Sequence, residues 1–200
     1  MAGTPFDLQL LNACAALLLL LSFSMLSQRR IVTLVNLLAM QGGLLFVATL
    51  LLAWRTGQSH LYLSAALTLL LKVILLPWLL HRMIRRLEVY WDTEPLLNVP
   101  GTMLIGLVTV VFAFGLAQPI AELANTATRN AIGIAVAVIL LAFITMITRR
   151  KAMSQVVGFL SMENGLFFGA MSATYGMPMI VELGVALDVL VAMLVLGVFF

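Results

Sequence analysis

Long apolar runs, each of about 20 residues and separated by short polar breaks, recur from one end of this sequence to the other. Seven stretches have the length and composition to cross a bilayer: 8–27, 32–53, 61–81, 101–120, 131–148, 155–174 and 179–200. They are rich in Leu, Ala, Val and Met and lack the alternation of an outer-membrane barrel strand. Backbone polar groups in lipid must be satisfied within the segment, so each run is expected to be a helix. Composition agrees: 63% of the residues are hydrophobic and only 10% charged, which excludes a soluble globular enzyme, a disordered chain and a nucleic-acid-binding module. The lipid bilayer is the expected surrounding, and no nucleic-acid partner is expected. Asp7 precedes the first run and no basic residue does, so that run reads as a span rather than a cleaved signal.

The basic residues orient the spans. Arg29 and Arg30 follow the first run, Arg82, Arg85 and Arg86 the third, and Arg149, Arg150 and Lys151 the fifth, which puts eight on one side. Arg55 and Arg129 fall on the other. Cytoplasmic loops carry the excess of Lys and Arg, so the N-terminus is expected outside and the C-terminus inside. The longest break, 82–100, is then cytoplasmic. Its Arg85, Arg86, Glu88 and Asp92, with Leu87, Tyr90 and Trp91, read either as a short amphipathic interfacial helix or as an ordinary basic loop. Cys14 is the single cysteine, which excludes a disulfide framework or multi-cysteine metal site. His60 and His81 flank one run and would lie roughly 30 Å apart along a helix, too far to share a haem.

An internal repeat is visible. Residues 35–48 align without gaps to 157–170, and seven of fourteen positions are identical. The preceding runs end alike, in Met25-Leu26-Ser27-Gln28-Arg29-Arg30 and Met146-Ile147-Thr148-Arg149-Arg150-Lys151. Leu71-Lys72-Val73 matches Leu187-Asp188-Val189. The expected plan is therefore an all-α integral membrane protein of seven transmembrane helices, two parallel three-helix repeats joined by one helix. The units would be 1–81 and 121–200, with the loop and connector helix at 82–120. The repeat is parallel, unlike the inverted repeats of many secondary transporters.

The copies differ in an informative way: Gln41 stands where the second copy has Glu163, and Lys72 where it has Asp188. Lys72, Glu163 and Asp188 all fall near the centres of their spans, with Glu182 six residues before Asp188. Insertion of an Asp, Lys or Arg at a helix centre costs about 2.5–3.5 kcal/mol, so three such groups would cost roughly 8–10 kcal/mol unpaired. Two readings stay open. In one, Lys72 forms a structural ion pair with Glu163 or Asp188. In the other, Glu163, Asp188, Glu182 and Lys72 form a proton relay, since burial in a low dielectric favours a neutral carboxyl group. Gln41 and Asn164 are supporting polar residues. Gly165 and Gly169, spaced G-x-x-x-G, are candidates for close helix packing.

Met162-Glu163-Asn164-Gly165 in the penultimate run, and Pro178 through Asp188 in the last, resemble component E of hydrogenase-4 and related group 4 membrane-bound [NiFe] hydrogenases. The length and seven-span plan resemble that family over nearly the whole chain. The C-terminal unit is similar to the K subunit of respiratory complex I and the C subunit of multi-subunit cation/proton antiporters. The resemblance implies two relay acids, with Glu163 in the first role and Asp188 or Glu182 in the second. It implies a non-catalytic chain without a cofactor of its own, whose partner subunits hold the nickel–iron centre and iron–sulfur clusters. The implied partners are antiporter-like and other membrane subunits and a soluble hydrogenase arm, in a bacterial or archaeal cytoplasmic (inner) membrane. The chain stops at Gly197-Val198-Phe199-Phe200, short of the further polar residues expected there.

A free-standing proton-coupled secondary transporter is the alternative, since intramembrane carboxylates serve carriers too. Against it stand the parallel repeat and the lack of a Gly/Pro-broken helix pair. A retinal protein would need its lysine in the last span, where this chain has Asp188. A purely structural assembly subunit grades into the first reading.

Overall fold

The computed structural model describes residues 6–57, 59–88, 98–122, 126–174 and 184. Among them, helices α1 (Phe6–Ser27) and α2 (Ile31–Thr56) come first. α3 runs as Ser59–Thr68, passes through a π-helical stretch Leu69–Leu75 and continues as Leu76–Leu87. α4 (Val99–Glu122), α5 (Thr126–Thr148) and α6 (Ala152–Thr174) complete the described set. Among the described residues, six helices are long and apolar enough to cross a membrane. The seventh expected span, 179–200, lies outside the described residues except for Gly184.

The apolar runs form helices because lipid offers the backbone no partners and each helix satisfies itself. Their ends follow local chemistry. α2 stops at Gly57, whose φ of 66° suits a residue without a side chain, and whose N–H caps Ala53 O at 2.9 Å. α3 does not end at 81, as the apolar run implied, but continues to Leu87 and stops at Glu88. Amphipathicity explains the extension: Met83 and Ile84 are buried while Arg82, Arg85 and Arg86 face outward. The amphipathic segment is thus the last turns of α3, and the rest of the expected loop, 89–97, lies outside the described residues.

The π stretch has a cause in the sequence. Pro77 lacks an N–H, and its ring would clash with the carbonyl of Val73 in a regular helix. The helix widens just before it, and Leu76 N–H reaches back five residues to Leu71 O.

α1 packs against α2, α4 and α5; α2 also against α3 and α6; α5 against α4 and α6. Of the described helices α4 is the least buried, with 17% of its span buried, against 56% for α6. Gly158, Gly165 and Gly169 line the α5–α6 seam: an added Cβ would come within 2.7 Å of Met146, 2.9 Å of Val138 and 2.9 Å of Ala135. The pair Gly165 and Gly169 therefore serves an intramolecular contact.

Two apolar clusters fill the interior. One joins Met25 with Ile31, Leu34, Val35 and Leu38, the α3 residues Leu76, Leu79, Leu80, Met83 and Ile84, and Met153, Val157 and Leu160. The other joins Cys14, Ala15 and Leu18 with Leu45, Ala48, Leu52 and Ala53, Leu61, Ala135 and Val138, and Phe167, Phe168 and Met171. Between the two clusters, α1, α2, α3 and α6 each carry buried polar side chains, and these make one polar interval.

The first cluster also gathers the basic helix ends, because Met25, Ile31, Met83, Ile84 and Met153 all border them. Arg149 departs from its reading as a simple topology charge. It is buried, and its guanidinium donates to Met25 O at 3.2 Å, to Leu26 O at 3.1 Å and to Gln28 O. It caps the carbonyl end of α1, where a cation is favoured by the helix dipole.

Candidate functional site: an ion pair in a buried polar layer

The polar interval contains Ser22 of α1, Gln41 of α2, Lys72 of α3, and Glu163 and Asn164 of α6, all buried. Glu163 sits eleven residues from either end of its helix. Lys72 Nζ donates to Glu163 Oε1 at 2.8 Å and to Asn164 Oδ1 at 3.0 Å. Asn164 Nδ2 donates to Gln41 Oε1 at 3.3 Å, and Gln41 Nε2 donates to Ser22 Oγ at 2.7 Å. Ser22 Oγ donates in turn to Leu18 O at 2.9 Å. One hydrogen-bonded chain thus crosses from α6 to the backbone of α1.

Local structure delivers the lysine. Lys72 lies inside the π stretch, and α2 approaches it at Gly42, where an added Cβ would fall 2.9 Å from Lys72 Cβ and 3.1 Å from its carbonyl oxygen. The glycine lets the two backbones touch. The Phe167 ring covers the ammonium at 5.7 Å, a favourable cation–π distance. Gly184 also approaches that ring, its added Cβ 2.9 Å from Phe167 Cδ2.

Electrostatics fixes what the layer can do. The exposures of Lys72 and Glu163 are 4% and 3%, and apolar clusters lie on both sides. Two charges so placed attract strongly, and removing one leaves the other in a costly state. The two residues are therefore held together as a buried ion pair. Thr68, one turn before Lys72, and Ser161, two residues before Glu163, have buried hydroxyl oxygens with no hydrogen-bond partner among the described residues. His81 Nδ1 lies 2.7 Å from Pro77 O on its own helix. No group of metal-ligating residues occurs among the described residues.

Of the residues singled out from sequence, the structure brings together Lys72, Glu163, Gln41 and Asn164. Among the described residues Lys72 pairs with Glu163, and Asp188, the other acid considered for it, lies outside them. Gly165 and Gly169 belong to the neighbouring seam. Asp188 and Glu182 lie outside the described residues. Ser22, Gly42 and Arg149 were not anticipated as partners of this architecture. A serine in an apolar run carries no distinctive signal, whereas the Gly42-Gly43 pair and Pro77 were visible markers of a close approach and a helix defect.

Comparison with known proteins finds no family model and no solved structure that matches. The chain is 26% identical over 152 residues to hydrogenase-4 component E of Escherichia coli K12, covering 76% of this chain and 66% of that protein. The same values hold for hydrogenase-4 component E of Shigella flexneri. This is a distant relationship. Identity rises to 37% over 199 residues with the uncharacterized protein Rv0085 of Mycobacterium tuberculosis, covering 99% of this chain and 90% of that protein, so the chain belongs to the same family as that protein.

Proposed function

We propose that this protein is a non-redox membrane subunit of a hydrogenase- or complex I-like assembly, and that it helps couple electron transfer in partner subunits to proton (or sodium) translocation. The observation that carries the reading is the Lys72–Glu163 pair, held at 2.8 Å between two helices at mid-span. A structural bolt needs no titratable groups, and a well-packed apolar pair would hold two helices at least as well. An ion pair adds a proton that can move. When a charge nearby changes, the proton passes from the Lys72 ammonium to the Glu163 carboxylate, leaving amine and carboxylic acid, and returns when the charge reverts. The distant likeness to hydrogenase-4 component E supports the choice of assembly.

The relay extends in this reading to Asp188, with Glu182 as the competing second acid. Gln41 and Glu163, paired by the internal repeat, both fall in the polar layer, which supports a duplicated three-helix unit. The units would be 1–81 and 121–200, with 82–120 between them. The basic end would face the cytoplasm of a bacterial or archaeal cell, and redox cofactors would reside in partner subunits, together with antiporter-like membrane subunits and a soluble arm.

Glu163→Gln keeps the shape of the side chain and removes its proton chemistry. The expected outcome is an intact assembly whose turnover-coupled proton uptake falls by roughly tenfold or more, measured in sealed vesicles with a pH-sensitive dye. Unchanged uptake in both Glu163→Gln and Asp188→Asn would remove the relay.

A further inference from the structure

The hydrogen-bond chain behind Lys72 has a direction, and both ends hold it: the ammonium can only donate, and the Ser22 hydroxyl accepts at the far end. The Ser22 hydroxyl has one proton, which it gives to Leu18 O at 2.9 Å. What it then offers Gln41 is a lone pair, so the Gln41 amide must present its NH2 group, at 2.7 Å. The Gln41 carbonyl consequently turns to Asn164 and requires its NH2 group, at 3.3 Å. Asn164 is left with only its carbonyl for Lys72, at 3.0 Å. Each link forces the next, and the last is an acceptor aimed at the ammonium.

We propose that Ser22 is a positioning residue for the Lys72–Glu163 pair: it fixes the far end of two ordered amides, so that a firmly held acceptor meets the lysine, and thereby holds the pair in its ionised form. The inference rests on the importance of this ion pair in the functional reading above, but not on coupling itself. Without the hydroxyl, the Gln41 NH2 group loses its acceptor and the order of the two amides is held from the lysine end alone. The Asn164 carbonyl is then a looser acceptor for the ammonium. The charged lysine is disfavoured, and the proton moves to Glu163, giving amine and carboxylic acid. Arg149 is the other buried charge among the described residues, and it caps α1 beside the first apolar cluster.

The test is infrared difference spectroscopy on the full-length protein in lipid nanodiscs at fixed pH. The Glu163 carboxylate and carboxylic-acid bands are assigned by their loss in Glu163→Gln. Ser22→Ala is expected to raise the ratio of protonated to ionised Glu163 by roughly three- to tenfold, the scale of one ordinary hydrogen bond. Ser22→Thr, which keeps the hydroxyl, is expected to restore the wild-type ratio. Gln41→Met cuts the same chain one link nearer the lysine and should give the same shift. The double variant should shift no further than either single one. A Ser22→Ala ratio equal to wild type would overturn the proposal, as would a shift that Ser22→Thr does not reverse. Should Ser22→Ala not be recovered folded, Gln41→Met decides between the same two outcomes. The bands report the ion pair whether or not protons are pumped, so failure here leaves the coupling reading standing, and failure of coupling leaves this inference standing.

Discussion

Glu163 and Lys72 tolerate the interior of the bundle only as partners. Lys72→Met leaves a buried carboxylate without its cation, and a cost of about 3–5 kcal/mol is expected. Adding Glu163→Gln removes the stranded charge, so the double variant should recover most of that loss. Unfolding in mild detergent, followed by helix content, measures both. A double variant no more stable than Lys72→Met would show that the two residues do not depend on each other. The pair was half legible in the sequence. Two midspan charges of opposite sign implied a partner for Lys72, but Glu163 and Asp188 were equally open, because depth along a helix does not give rotation about it. Ser22 was invisible, since nothing in its neighbours distinguishes a serine that bonds its own helix from one that also anchors a side-chain network.

At the scale of the element, the decisive contact is α2 against the π stretch of α3. Gly42 and Gly43 are neighbours in sequence with opposite surroundings. An added Cβ at Gly42 meets Lys72 backbone and side-chain atoms at 2.9–3.2 Å, whereas Gly43 has nothing within 4 Å. Gly43→Ala should therefore stabilise α2 by about 0.5–1 kcal/mol through helix propensity. Gly42→Ala should destabilise the protein by about 1–3 kcal/mol through overpacking. Thermal unfolding of the two variants side by side checks this, and equal stabilities would mean that α2 and α3 do not meet at Gly42. Six helices were readable from apolar run length, because in lipid that length is itself the structural rule. The end of α3 was not readable in that way. Past residue 81 the helix is amphipathic rather than apolar, and a span criterion stops where lipid contact stops. The π stretch escaped notice because Pro77 was read only as one apolar residue in a run.

For the whole molecule, two apolar clusters enclose one polar layer, and helices from both ends of the described chain contribute to it. Ser22, Gln41 and Lys72 come from the first three helices, Glu163 and Asn164 from the last described one. Such an arrangement ties α6 to the N-terminal half through a buried ion pair. The sparsely buried helix α4 presents Leu104, Leu107, Val108, Val111 and Phe112 to its surroundings, as a membrane-embedded protein does. The bias of basic residues toward one end was evident from the sequence, and the structure gathers those helix ends around one cluster. It could not be seen from sequence that Arg149 among them is a buried cap.

Purification of the tagged full-length protein in a gentle detergent, with identification of what accompanies it, tests most directly whether this chain is a subunit of a larger machine. The expected result is recovery with a hydrogenase-type large subunit and antiporter-like membrane subunits in fixed proportion. Recovery of the chain alone, monodisperse and stable, would contradict that reading and make a free-standing proton-coupled transporter the better one.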